Sequence, residues 1–115
     1  VEKSTHKTEL VPAMCSVQNK NIISELLKKF KVDTIYHAAA YKHVPLVEYN
    51  VIESIRNNVI GTKNLTDLAI KHKVTNFILV STDKAVRPTN FMGCTKRLSE
   101  LICQAHHLNK AETNF

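Results

Sequence analysis

Two periods alternate along the hydrophobic positions of this chain, one suited to helices and one to strands. Ile22, Ile23, Leu26, Leu27 and Phe30 recur at i, i+3 and i+4 behind two candidate caps, Asn19 and Asn21. Lys28 and Lys29 stand at the far end, where cations favour the helix dipole, so this stretch predicts an amphipathic helix. Residues 32–40 then read as a buried strand that gives way to small side chains, followed by polar Tyr41-Lys42-His43 and Pro45. A second helix is predicted over about 50–73, with Val59, Leu65, Leu68 and Ala69 on one side. Residues 76–81 form a second compact strand, and 89–107 a further helix with Leu98, Leu101 and Ile102 facing a core. Upstream, residues 10–17 carry Pro12 inside an apolar run and suggest a strand start or a sheet-edge strand. Residues 1–9 are polar and aperiodic, which predicts a loop or frayed start.

Strands alternating with helices of this length predict an α/β fold, a parallel sheet built from right-handed crossovers. In open sheets of that kind ligands bind outside the carboxyl ends of the strands. The two chemically unusual segments, residues 38–43 and 81–84, fall at such ends, and small side chains there let a ligand approach the backbone.

At 115 residues the chain fits one domain, and 43% hydrophobic with 23% charged residues places it among folded globular chains. Lys and Arg number 16 against 10 Asp and Glu, a formal charge of +6 that favours anionic partners. The basic residues are spread as pairs and singles, Trp is absent, and a nucleic-acid patch with stacking aromatics is not indicated. Cys15, Cys94 and Cys103 form no CxxC pair and no signal peptide is evident, so free thiols in a reducing cytoplasm are expected. No apolar run approaches the roughly 20 residues of a membrane helix, and no membrane contact by this segment is expected. The six histidines show no zinc-ligand spacing, so no metal site is expected.

Chemistry concentrates in Ser81-Thr82-Asp83-Lys84 and in Met92-Gly93-Cys94-Thr95-Lys96. A hydroxyl, a carboxylate and an amine at a strand end supply a hydrogen-bond donor, a proton donor or acceptor, and a base. Lys96 lies one helical turn beyond Met92, on the same face, so both can point at one ligand. By spacing alone, the same residues also describe a solvated turn followed by an N-capped amphipathic helix. Cys94 sits inside this motif, and a buried helix thiol explains it more simply than a nucleophile.

The run STDKAVRPTNFMGCTKR, with HAAAYKHVPLVE and NNVIGTKNL upstream, resembles the extended short-chain dehydrogenases/reductases that act on UDP-N-acetylhexosamines. Within them it is most similar to the 4,6-dehydratases of capsule, O-antigen and protein-glycan biosynthesis, over residues 10–104. The resemblance implies a Rossmann-like parallel sheet with flanking helices and NAD or NADP as cofactor. Ala38, Ala39 and Ala40 match the loop passing beneath the cofactor, and Ser16 and Val17 the strand end that meets its adenine, where many relatives carry Asp in place of Ser16. Tyr41, Lys42 and His43 match the loop beside the sugar nucleotide, with Asn90 a further substrate contact. Asn58 matches an Asn that ties sheet and active-site backbone together. Lys96 matches the Lys of the Tyr-x-x-x-Lys motif that holds the nicotinamide ribose. Met92 stands at the usual Tyr position; a thioether cannot exchange a proton, and the large membrane-associated 4,6-dehydratases share this departure.

The implied reaction moves hydride from the sugar C4 to the cofactor, eliminates the C5 proton and 6-hydroxyl as water, and returns hydride to C6. Thr82 is the candidate for the 4-hydroxyl, Asp83 for the leaving hydroxyl and Lys84 for the C5 proton, the last requiring a lowered pKa. Only Gly61 and Gly93 are present, so no glycine-rich phosphate loop can be drawn. The chain is therefore expected to be the central part of one NAD(P)-binding catalytic domain, residues 1–115, lacking the first βαβ unit and inactive alone. The parent is expected to be a cytoplasmic homo-oligomer acting on a UDP-sugar; if it is anchored to the inner membrane, this domain lies on the cytoplasmic side. Competing readings are an epimerase or ketoreductase of the same fold, and a non-catalytic binding module.

Overall fold

A computed structural model describes residues 9–115 of the chain; the predicted start, apart from Glu9, lies outside the described residues. Helix α1 (Lys20–Phe30) begins at Asn19, whose side-chain oxygen accepts the Ile22 amide at 3.2 Å, and buries Ile23 and Leu27. Strand β1 (Thr34–His37) follows, then α2 (Val44–Tyr49), α3 (Val51–Ser54), a π-helical segment (Ile55–Ile60) and α4 (Gly61–Lys71). Strand β2 (Asn76–Leu79), a 3-10 turn (Asp83–Ala85) and α5 (Phe91–Leu108) complete the order.

The strands pair in parallel, with Thr34 opposite Asn76 and His37 opposite Leu79, as a helical crossover between them requires. Helices α1, α4 and α5 cover one face of this sheet. There Ile23, Leu27, Leu65, Leu68, Ala69, Val74, Phe77 and Cys103 form the core, with Ile35 and Leu79 against it. Beyond β2, Asn114 makes a further parallel bridge to Asn76, and its carbonyl accepts the Phe77 amide at 2.8 Å.

Four expectations change. Residues 10–17 form no strand: Pro12 lacks a donor, no described strand lies alongside, and Leu10 and Met14 are exposed. The two strands are four residues each: Val80 still donates its amide to the His37 carbonyl at 3.0 Å, and residues 38–40 and Ser81 leave the ladder to shape the loops. The β1 strand is also covered on one face only; His37 is buried and Tyr36 is 75% exposed. The helix expected over 50–73 is present as one unbroken helical run, 51–71, whose middle is the π-helical segment between α3 and α4, and Pro45, suited to a first helical turn, opens the separate α2. Finally, Leu98 and Leu101 are exposed, and the buried face of α5 is Met92, Gly93, Thr95, Lys96, Ser99 and Cys103. That face is small and polar because it meets the π-helical segment through hydroxyl hydrogen bonds, not through an apolar seam.

Candidate active site

The carboxyl ends of β1 and β2 open on a pocket of about 250 Å³ lined by Ala38, Ala40, Lys42, Val80, Ser81, Thr82, Lys84, Met92 and Lys96. Three lysines, Lys42, Lys84 and Lys96, line it without an acidic residue, a balance suited to phosphate-bearing ligands. A larger pocket of about 420 Å³ adjoins it, sharing Ala40 and Lys42 and adding Tyr41, His43, the α2 residues Leu46 and Val47, and Ser54.

Lys96 reaches this site because α5 runs across the end of β2. Its side chain is 6% exposed and its Nζ donates to the Val80 carbonyl at 2.6 Å. Burial holds its pKa below the ordinary lysine value, with the Glu100 carboxylate and Cys103 acting in the opposite sense. Met92, one turn earlier and 3% exposed, supplies an apolar wall. Glu100 accepts the Ser81 hydroxyl and an Arg97 guanidinium hydrogen bond, tying the end of β2 to α5.

Thr82, in extended conformation, caps the 3-10 turn by accepting the Lys84 amide and donates its hydroxyl to Asp83 Oδ1 at 2.9 Å. Lys84 Nζ stands 3.3 Å from the same carboxylate oxygen. These two neighbours, Thr82 first, hold the exposed Asp83 carboxyl below its usual range, so it is ionised at neutral pH. The turn is seated by Gly93: a Cβ there would lie 2.2 Å from the Lys84 carbonyl oxygen, so only glycine lets α5 approach this closely.

Asn58 uses its whole amide. Its oxygen accepts the Tyr41 amide at 2.8 Å, and its nitrogen donates to the Tyr41 carbonyl and to Thr95 Oγ1, each at 3.0 Å. Its own carbonyl accepts the hydroxyls of Thr62 at 2.6 Å and Ser99 at 2.7 Å. Because Thr62 donates there, its oxygen is free to accept from His37 Nε2, 2.9 Å away, which assigns the proton of the neutral imidazole to Nε2. Burial, and then the Lys96 charge, push the His37 pKa down to about 4.

The structure thus brings Ala38, Ala40, Lys42, Thr82, Lys84, Met92 and Lys96 together, with Asp83 at the rim. Tyr41 and His43 line the adjoining pocket. Asn90 is the N-cap of α5, its side-chain oxygen accepting the Gly93 amide at 2.8 Å. Ser16 lies apart, on an open surface at the start of α1 with Gln18 and Lys20, and Val17 packs against Gly61. Ala39 lines neither pocket. Residue-by-residue reading of the sequence gave no role to Thr62, Ser99, His37 and Glu48, and none of its own to Thr95. The signal was present for two of them: Thr95 and Ser99 continue the Met92–Lys96 face at helical spacing.

Cys103 is buried and its thiol is pushed up to about 11 by that burial, which makes it a core residue and not a nucleophile. His72 and His106 pair with the hydroxyls of Ser24 and Thr66. Among the described residues, no helix is long and apolar enough to cross a membrane.

Comparison with known proteins points the same way. CapD of Staphylococcus aureus, a capsular polysaccharide biosynthesis protein, is 48% identical over 110 residues, 96% of this chain but 18% of its own length. A protein of Rickettsia rickettsii named UDP-glucose 4-epimerase is 43% identical over 99 residues, 84% of this chain and 28% of that one. Among solved structures, Pen from Bacillus thuringiensis superimposes with a TM-score of 0.81 at 32% identity, over 90% of this chain and 32% of its own, which shows the Rossmann-like α/β fold. The chain spans less than a third of each of these proteins. A family model described as "Polysaccharide biosynthesis protein" matches residues 1–115, and the chain belongs to that family.

Proposed function

We propose that this chain is the central part of one NAD(P)-binding catalytic domain of a nucleotide-sugar 4,6-dehydratase, which converts a UDP-N-acetylhexosamine to its 4-keto-6-deoxy derivative. The observation that carries this reading is the composition of the strand-end pocket. Thr82, Lys84 and Lys96 face it with Asp83 beside them, while the position that serves as base in Tyr-dependent relatives is the buried thioether of Met92. Proton chemistry at this site therefore falls to the 82–84 segment.

The residues present fit the cofactor. Ala38 and Ala40 offer methyl groups where a ring must lie close to the backbone, and the buried Lys96 ammonium is a donor for ribose hydroxyls in place of the Val80 carbonyl. A cofactor held by these residues would supply hydride acceptance and hydride return for the sugar. Thr82 orients the 4-hydroxyl and relays its proton to the Asp83 carboxylate, Asp83 delivers that proton to the departing 6-hydroxyl as water forms, and the Lys84 amine accepts the C5 proton and returns it to C5 when hydride reaches C6. The 3.3 Å contact between Lys84 and Asp83 gives these two transfers a shared path. Asp83 enters as a carboxylate, so the proton it delivers is the one it takes from the 4-hydroxyl through the Thr82 hydroxyl, 2.9 Å away. Tyr41, Lys42 and His43 border the sugar nucleotide, and Lys42 supplies charge for its phosphates.

A C4 epimerase is the second reading, favoured by the named Rickettsia relative. Incubating the full-length protein with UDP-N-acetylglucosamine separates the two: a 4-keto-6-deoxy product supports dehydration, and a C4 epimer with C6 unchanged overturns it. Within the dehydratase, Asp83→Asn is expected to cut turnover by about 10²–10⁴-fold with little change in UDP-sugar affinity. Lys84→Met is expected to abolish exchange of the C5 hydrogen with solvent deuterium. Near-normal turnover and exchange in both variants would reduce residues 81–84 to a polar turn.

A further inference from the structure

Two of the orphan amides at the start of α5 are satisfied, and their acceptors come from different places. Gly93 N–H is taken locally by the cap residue Asn90. Phe91 N–H is taken from 43 residues away by Glu48 Oε1, at 2.7 Å. Glu48 lies on α2, the short helix that grows out of the Tyr41–Lys42–His43 loop. It lines neither pocket and meets no ammonium partner among the described ion pairs. A carboxylate that forgoes a cation to bind the first amide of an 18-residue helix gains both a charge-assisted hydrogen bond and the helix dipole.

The position of that first turn matters more than its stability. Within six residues of the amide that Glu48 holds, α5 presents Met92 to the pocket wall, Gly93 to the Lys84 carbonyl and Lys96 to the end of β2. The opposite side of the pocket is the loop that leads into α2, already clamped at Tyr41 by Asn58. We propose that Glu48 is a positioning residue of the active site: by joining α2 to the first turn of α5 it sets the spacing between the Tyr41–His43 loop and the Met92–Lys96 face. It acts through Phe91 N–H and touches no reacting atom.

This role rests on the dehydratase reading for its kinetic consequence and not for its structural one, so the test has two arms, both on the full-length protein. Glu48→Ala is expected to speed amide hydrogen exchange at the start of α5 about tenfold. It should also lower kcat about tenfold or more, with KM for the UDP-sugar within a factor of two. Glu48→Gln keeps an acceptor oxygen and is expected to restore most of both. Unchanged exchange at Phe91 in Glu48→Ala, or equal kcat losses in the two variants, overturns the proposal. So does a rise in KM at constant kcat. If the wild-type protein turns over no UDP-N-acetylhexosamine, the functional reading fails by itself. The exchange arm and its recovery in Glu48→Gln still decide whether Glu48 holds the helix.

Discussion

His37 shows how much a single side chain can report. It is 4% exposed, donates through Nε2 to Thr62, and is held neutral with a pKa of about 4 by burial and by the nearby Lys96 charge. An unfolded chain returns this group to about 6.5, so between those values the unfolded state binds the extra proton and stability falls as pH falls. The contribution is whole above about pH 6.5 and is lost progressively toward pH 4. Urea unfolding at pH 7 and 4.5 is expected to show wild type losing about 2–3 kcal/mol more than His37→Gln, which keeps a donor but cannot titrate. Equal losses in the two proteins would mean that His37 keeps its ordinary pKa. In the sequence this residue was one of six scattered histidines, and nothing marked it as the buried one. Thr82, Asp83, Lys84, Met92 and Lys96 stood out because unusual chemistry clusters locally in the chain. Glu48 and Thr62 did not, because Phe91 and His37, the partners that matter, lie 43 and 25 residues away and each alone looks like an ordinary surface polar residue.

Among the elements, α5 is where hydrophobic patterning misleads. Its apolar residues Leu98 and Leu101 point outward, and its buried face relies on Thr95, Lys96 and Ser99. A period-3.6 reading weighs side chains by hydrophobicity and therefore picks the wrong face when a helix is held by hydroxyl-to-carbonyl bonds. The π-helical segment inside the 50–73 helix was hidden for a related reason: it centres on Asn57 and Asn58, and no residue there breaks a helix as a proline would. The close approach of α5 to the 3-10 turn makes its own prediction. Gly93→Ala adds a methyl group 2.2 Å from the Lys84 carbonyl oxygen and 3.1 Å from Pro88 Cβ, and backbone cannot yield there as a flexible side chain would. The variant is expected to lose about 1–3 kcal/mol by overpacking. It should also displace Lys84 from Lys96, so turnover of the full-length protein falls even at temperatures where the fold survives. A thermal melt paired with initial rates checks both halves. At Gly61 the added Cβ meets a side chain and not backbone, Val17 Cγ2 at 2.8 Å.

For the molecule as a whole, the α/β class and the parallel pairing were legible because strand-like and helix-like stretches alternate at crossover lengths. The extent of the sheet was not, since residues 10–17 look like a strand and find no partner among the described residues. The sheet that results is lopsided. Phe77, Leu79 and Ile35 pack beneath α1, α4 and α5, while Tyr36 is 75% exposed and Ile78 37% exposed on the other face. Parallel sheets are normally covered on both faces. If these residues are the middle of a larger catalytic domain, as proposed above, the Tyr36 face is buried there by helices outside this chain. Tyr36→Thr distinguishes the two situations, because Thr keeps the β-propensity of the position and removes the ring. In the isolated 115-residue chain the ring has little to lose, and the change is expected to cost under about 1 kcal/mol. In the full-length protein the same change removes a buried aromatic and is expected to cost about 2–4 kcal/mol. Denaturant unfolding of both proteins measures the difference; equal small costs would mean that the second face stays open and that the larger domain does not enclose this sheet.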